Sequence, residues 1–127
     1  MRYLLDTHTL IWFFDDSPNL PDSVAAIIEN IGVQKFVSVA SLWEFTIKHN
    51  LGILDFEGGI TVLWKMVDVN GFIVAQICEP YLSTLDTLPF LHRDPFDRLL
   101  IATAISEDMT ILTKDDNIQQ YDVRWVW

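Results

Sequence analysis

DPFDRLLIATAISEDMTILTKDD, residues 94–116, is the stretch on which the fold turns. Asp94 stands where a helix N-cap belongs, and Pro95 takes the first helical position, where a missing N–H leaves nothing unsatisfied. Phe96, Leu99, Leu100, Thr103 and Ala104 then recur at spacings of three and four, the apolar stripe of a helix laid against a core. Thr110–Thr113 (TILT) follows as a short strand rich in β-branched residues. A helix that feeds directly into a strand is a fragment of an alternating α/β chain.

The same alternation extends toward both ends. Arg2–Leu5 is an apolar run that stops at Asp6 and is expected to be a buried strand. Thr7–Phe14 then forms a helix that either Asp6 or Thr7 can cap. Pro21 suits the first turn of a second helix, running to Ile31. Lys35–Val39 (KFVSV) reads as a second strand. A helix follows it from Ser41, where Ser41 and Glu44 have capping-box spacing and Gly52 suits the far end. Gly58–Asn70 carries another helix, with Ile60, Leu63, Trp64 and Val67 on one stripe. Phe72–Ile77 (FIVAQI) is a third strand, Pro80–Leu88 a short helix, and Val123–Val126 a fifth strand. The pattern predicts an α/β three-layer domain with a mainly parallel sheet, filling residues 1–127 as one unit.

Composition agrees with this reading. Half of the 127 residues are apolar, enough for a core without disulfides or structural metal, and five Trp and eight Phe exclude a disordered chain. The first residues, MRYLLDTHTL, do not form a signal peptide, because Asp6 interrupts a short apolar run. No stretch approaches the roughly 18 apolar residues of a membrane span. A soluble, cytoplasmic protein is expected. Cys78, the single cysteine, excludes an internal disulfide and is expected to be a small core residue.

The net charge of −10 runs against ordinary phosphate binding by Lys and Arg. Where the acids fall offers a resolution. In parallel sheets, ligands bind beyond the carboxyl ends of the strands. Asp6 ends the first strand, and Glu44 is placed in the first turn after the second. Asp97 lies in the first turn of the helix opened by Asp94, and Asp115 follows the fourth strand. Carboxylates gathered at one sheet edge repel one another, and a hard dication such as Mg²⁺ or Mn²⁺ offsets that repulsion. Such an ion can activate water and stabilise the oxygens of a phosphodiester displacement. Each acid also has a plainer role available. Asp6 and Asp94 can cap helices, Glu44 can complete its capping box, Asp97 can favour a helix dipole, and Asp115 and Asp116 can be turn residues.

At these residues the sequence resembles the PIN-domain (PilT N-terminus) family, and within it the VapC-type toxins of bacterial toxin–antitoxin pairs. The resemblance rests on YLLDTHTLIWFF (3–14), SVASLWEFTIKHNLG (38–52) and RDPFDRLLIATAISEDMTILTKDDNI (93–118), which together span most of the chain. It implies a PIN-like three-layer α/β/α sandwich and Mg²⁺- or Mn²⁺-dependent endonucleolytic cleavage of RNA. The catalytic, metal-holding acids of the family match Asp6, Glu44, Asp97 and Asp115. Thr113 matches a Ser/Thr that helps order the metal site. Asp94 matches a branch-specific acid in a supporting or capping place, and Asp116 replaces Asp115 if the loop shifts by one residue. The resemblance further implies a homodimer and a VapB-type antitoxin whose basic tail enters the acidic cleft. Arg93, Arg98 and Lys48 lie near the acids in sequence and are candidates for RNA phosphate contacts, or else are solvated surface cations.

Three readings compete with a toxin ribonuclease. A PIN-fold nuclease could act on structured DNA or in RNA processing without an antitoxin. An acidic module could bind Mg²⁺ or a protein without catalysis. A receiver-type domain also gathers acids at strand ends, but the order of acids here does not fit one. Of the other residues, His8, His49 and His92 lack zinc-ligand spacing and are expected to be structural or exposed. Trp12, Trp43 and Trp64 are expected in the core or in a partner groove, with base stacking the lesser option, and Trp125 and Trp127 on the sheet edge.

Overall fold

The computed structural model describes residues 1–127. The chain runs β1 (Arg2–Leu5), α1 (Thr7–Phe14), α2 (Asp22–Glu29), β2 (Gln34–Ser38), α3 (Val39–Asn50), α4 (Gly59–Val69), β3 (Ile73–Ala75), α5 (Glu79–Asp86), α6 (Pro95–Glu107), β4 (Thr110–Leu112), α7 (Asp116–Gln119) and β5 (Trp125–Val126). The five strands form one sheet in the order β3-β2-β1-β4-β5, and every pairing is parallel. The expected mainly parallel α/β sandwich is therefore the observed one.

The layers follow from the two-residue period of a strand, which sends neighbouring side chains to opposite faces. Leu5, Val37 and Leu112 enter a core with Leu10 and Ile11 of α1, Val24 and Ile28 of α2, Leu42 and Phe45 of α3, and Leu63 and Val67 of α4. Their neighbours Leu4, Phe36 and Ile111 enter the opposite core with Leu100, Ile101 and Ala104 of α6, and with Ile118 and Tyr121. Each of these large aliphatic side chains contributes about 1.5–3 kcal/mol when fully buried. A third, smaller cluster of Ala40, Tyr81 and Leu99 ties α5 to α6 and the start of α3.

β1 lies at the centre of the sheet, flanked by β2 on one side and β4 on the other. The strand order reverses there, and such a reversal opens a crevice beyond the strand carboxyl ends. Asp6 follows β1 directly and Thr113 follows β4, so both stand at that crevice.

Several boundaries differ from expectation. Pro21 is the N-cap of α2 rather than its first residue, and the helix stops at Glu29. Asn30 is extended there, and its Oδ1 accepts the N–H of Gly32, turning the chain away. α3 begins at Val39, three residues after Phe36 and two before Ser41, because the hydroxyl of Ser38 accepts the Ala40 N–H and caps it. The Ser41–Glu44 capping box does not form, and Glu44 falls in the second turn. Gly52 does end the helix region, with φ of +75°. α7 was not expected. Cys78 is exposed, not in the core, because the chain has left the sheet after Ala75 and is entering α5. Trp43 and Trp64 are exposed and Trp12 is half-buried, so none of the three is a core residue.

Candidate active site

Asp6 is built into the crevice by its role as N-cap of α1. Its Oδ1 accepts the Thr9 N–H at 2.8 Å, and its Oδ2 accepts the Thr113 hydroxyl at 2.5 Å. The Thr113 oxygen in turn accepts the Asp115 N–H at 3.0 Å, which links the ends of β1 and β4. Burial raises the Asp6 carboxyl above its usual range, and the hydrogen bonds from Thr113 and Thr9 pull the other way.

Glu44 reaches the same region from α3 and is buried. Its Oε1 accepts the Thr7 hydroxyl at 2.6 Å, and its Oε2 pairs with Lys48 at 2.9 Å, one turn further along the helix. Lys48 is thus already engaged with an acid. Burial alone would lower its ammonium, but the bond and charge of Glu44, then the charges of Asp94 and Asp97, raise it instead.

α6 brings two more acids. Asp94 caps it, its Oδ1 accepting the N–H groups of Phe96 at 2.8 Å and Asp97 at 3.2 Å. Asp97 sits in the first turn, with its Oδ2 3.2 Å from Nε2 of His92. Burial, and then the negative charges of Asp94, Asp115, Glu44 and Asp6, push the Asp97 carboxyl up to about 8. A carboxyl that feels four other acids at once marks the point where they converge. Asp115 is half-buried and caps α7 by accepting the Asn117 N–H at 2.9 Å, while Asp116 is exposed.

The structure therefore brings Asp6, Glu44, Asp94 and Asp115, from four elements, near enough to Asp97 for their charges to act on it, with Asp94 alone of the four in a group at ligand distance from it. It also adds residues that sequence spacing did not single out. Ligand atoms of His92, Asp94 and Asp97 lie within 4.8 Å of one another, so His92 belongs with the acids, not with bland surface histidines. Its position in an irregular loop, five residues before Asp97, carries no periodic signal. Thr7 holds Glu44, and its only advance sign was a possible capping role. Arg98 is drawn elsewhere: its guanidinium donates to the carbonyls of Pro89 and Leu88 and to the Tyr121 hydroxyl, and lies 4.6 Å over the Phe90 ring. Arg93 is exposed.

No thiol stands at this crevice, and the Thr7 and Thr113 hydroxyls serve as donors to Glu44 and Asp6; its chemistry is that of clustered oxygen donors. The donors suit a hard divalent cation, since one ion would relieve the repulsion that raises Asp97. A class follows from sheet and site together: an α/β domain with a carboxylate cluster at the strand-order reversal of a parallel sheet.

The PIN domain family profile matches residues 3–124. The chain belongs to the PIN domain family. Among curated proteins none matches it in sequence. Solved structures share its fold at low identity. The structure of VapBC2 from Rickettsia felis, bound to a DNA fragment from their promoter, aligns with a TM-score of 0.75 and 13% identity, over 100% of this chain and 99% of that one. VapBC-1 from nontypeable Haemophilus influenzae aligns at 0.71 and 18%, over 99% and 97%. FitAcB from Neisseria gonorrhoeae aligns at 0.63 and 17%, over 98% and 96%.

Proposed function

We propose that this chain is a Mg²⁺- or Mn²⁺-dependent endoribonuclease, the toxin of a VapBC-type toxin–antitoxin pair. The observation that carries the reading is the meeting of acids from separate elements beyond the carboxyl ends of the strands: Asp6 at the N-cap of α1, Glu44 on α3, Asp94 and Asp97 with His92 at the start of α6, and Asp115 after β4. Membership of the PIN family supports it, as do fold neighbours that were solved as toxin–antitoxin assemblies.

Asp6 and Asp97 would hold the principal ion, with Glu44 and Asp115 completing its surroundings directly or through water. Bound there, the ion would supply a more acidic water and charge neutralisation at the scissile phosphate. The chain's own groups set the stage for that. Thr113 fixes one Asp6 oxygen and orders the loop carrying Asp115. Thr7 and Lys48 each fix one oxygen of Glu44, leaving its remaining lone pairs to accept a proton from the attacking water. His92 orients Asp97. Asp94 holds the start of α6, and so the position of Asp97, through two backbone bonds.

The partners follow from charge. At −10, the chain suits an antitoxin whose basic segment pairs with the acidic cleft, arginine above all because its fork matches a carboxylate. A homodimer and a cytoplasmic location belong to the same reading. The structure has no helix long and apolar enough to cross a membrane.

The test is to incubate purified, antitoxin-free protein with labelled tRNA and rRNA, and with single-stranded and flapped DNA, in Mg²⁺, Mn²⁺ or EDTA. Discrete RNA fragments that vanish in EDTA support the reading. Cleavage of DNA alone would move the chain to a structure-specific DNA nuclease. Folded protein that cuts neither would make it a binding module.

A further inference from the structure

A cleft of about 330 Å³ opens beside the acid cluster, lined by Asp6, His8, Trp12, Lys114 and Asp115. Two of its five lining residues belong to the proposed catalytic set; the other three are unused by it. His8 and Trp12 are one helical turn apart on α1, with ring centroids 5.7 Å apart at 49°. Trp12 leans in turn on Trp127, at 5.8 Å and 57°. Trp12 is half-buried, whereas His8 is exposed. Lys114 is exposed, enters none of the four ion pairs of the protein, and is the one ammonium on the cleft wall.

From these features we infer that the cleft is a subsite for the nucleobase adjoining the scissile phosphate, with Trp12 and His8 as its stacking wall and Lys114 as a phosphate contact. The inference rests on the nuclease reading above and extends it to how substrate is held. A strongly acidic protein gains little nucleic-acid affinity from its overall field, so binding must come from local groups. Aromatic faces supply it by stacking on any base. A nucleotide matches this lining with both of its parts, a phosphate for Lys114 and a ring for Trp12. Trp127 pre-organises the wall, so less freedom is lost when a base stacks.

The experiment uses the full chain and a labelled RNA oligonucleotide containing one mapped cleavage position. Trp12→Ala and His8→Ala are each expected to raise KM about 5- to 100-fold, more than they lower kcat, and Trp12→Phe is expected to restore most of the loss. Lys114→Ala is expected to weaken binding and to reduce the slope of log Kd against log salt by about one, read on the non-cutting Asp97→Asn background. An abasic nucleotide beside the cut should weaken wild-type binding and leave Trp12→Ala nearly unaffected. Should Trp12→Ala misfold, the exposed His8→Ala and the abasic substrate carry the same comparison. If the wild type cleaves RNA while these variants and the abasic substrate behave as wild type, the subsite is refuted and the nuclease reading stands. Loss of antitoxin binding in Trp12→Ala and His8→Ala with unchanged RNA kinetics would assign the wall to the protein partner instead. If no RNA is bound or cut under any condition, both inferences fall.

Discussion

Replacing Asp97 by Asn keeps the shape of the side chain and removes a carboxyl whose charge is disfavoured by burial and then by the neighbouring acids. Its carboxyl moves from 3.8 to about 8 on folding, close to four pKa units. At about 1.36 kcal/mol per unit, this gives a ceiling of about 5 kcal/mol of strain at pH 8 in the metal-free protein. The side chain is 16% exposed, so solvent and relaxation reduce the recoverable part to roughly 1–3 kcal/mol. The sign follows from proton binding. Between about pH 4 and pH 8 the folded chain holds this proton more tightly than the unfolded chain does. Metal-free stability from this group is therefore fully present below the unfolded value of 3.8 and is lost as pH rises through about 8. Asp6, raised by burial, acts in the same direction. In EDTA at pH 8, Asp97→Asn should melt about 3–10 °C above the wild type, with the gap closing toward pH 4–5. With millimolar Mg²⁺ or Mn²⁺ the order should reverse, because the wild type gains a bound ion that the variant holds weakly. Thermal melts by circular dichroism at three pH values, with and without metal, read all of this. A variant less stable than the wild type in EDTA at pH 8, or a wild-type melting point that does not fall between pH 5 and pH 8, would refute the claim that burial and the neighbouring acids disfavour the charged Asp97.

Other outcomes follow from the supporting residues. Thr113→Val removes the hydroxyl that donates to buried Asp6, and should lower RNA cleavage about 10- to 100-fold and cost roughly 1–3 kcal/mol in urea unfolding; Thr113→Ser should keep most of both. His92→Ala should weaken Mn²⁺ binding, measured by titration calorimetry, while leaving the melting point within a few degrees, since the side chain holds Asp97 and no core contact. Lys48→Met leaves buried Glu44 without its ion pair and should destabilise the metal-free protein by about 1–3 kcal/mol, a loss that added metal partly restores.

The parts legible in the sequence are those where local chemistry and tertiary need agree. Asp94-Pro95 opens α6 as expected because capping and φ restriction act within a few residues. Strands β1 and β4 are short apolar runs whose ends are marked by Asp6 and by the polar residues from Lys114, and both are central in the sheet. Glu44 is not in the first turn because two serines, Ser38 and Ser41, both suit a cap, and the Ser38 hydroxyl takes the Ala40 N–H at the end of β2. His92 was missed because a loop has no period to read, and only the fold brings it to Asp97. For Trp12, Trp43 and Trp64 only the core alternative fails: a large aromatic on a helical stripe signals burial, whereas Trp43 and Trp64 are exposed and Trp12 is half-buried. Arg98 is near Asp97 in sequence, but its donors turn to loop carbonyls and Tyr121, a choice set by residues about ten and twenty-three positions away. Convergence of the acids themselves was an inference from strand ends, and it needed the β3-β2-β1-β4-β5 order to become geometry.

The central claim is that acids from separate elements form one cation site. Substoichiometric Mn²⁺ added to ¹⁵N-labelled protein tests it most directly, because the ion broadens the amide signals nearest to it. The account predicts that the amides around Asp6, Glu44, Asp97 and Asp115 broaden together and first, and recover with EDTA. Broadening confined to residues 92–97, or spread over exposed acids such as Asp15, Asp16 and Asp122 while Asp6 and Glu44 stay sharp, would contradict it.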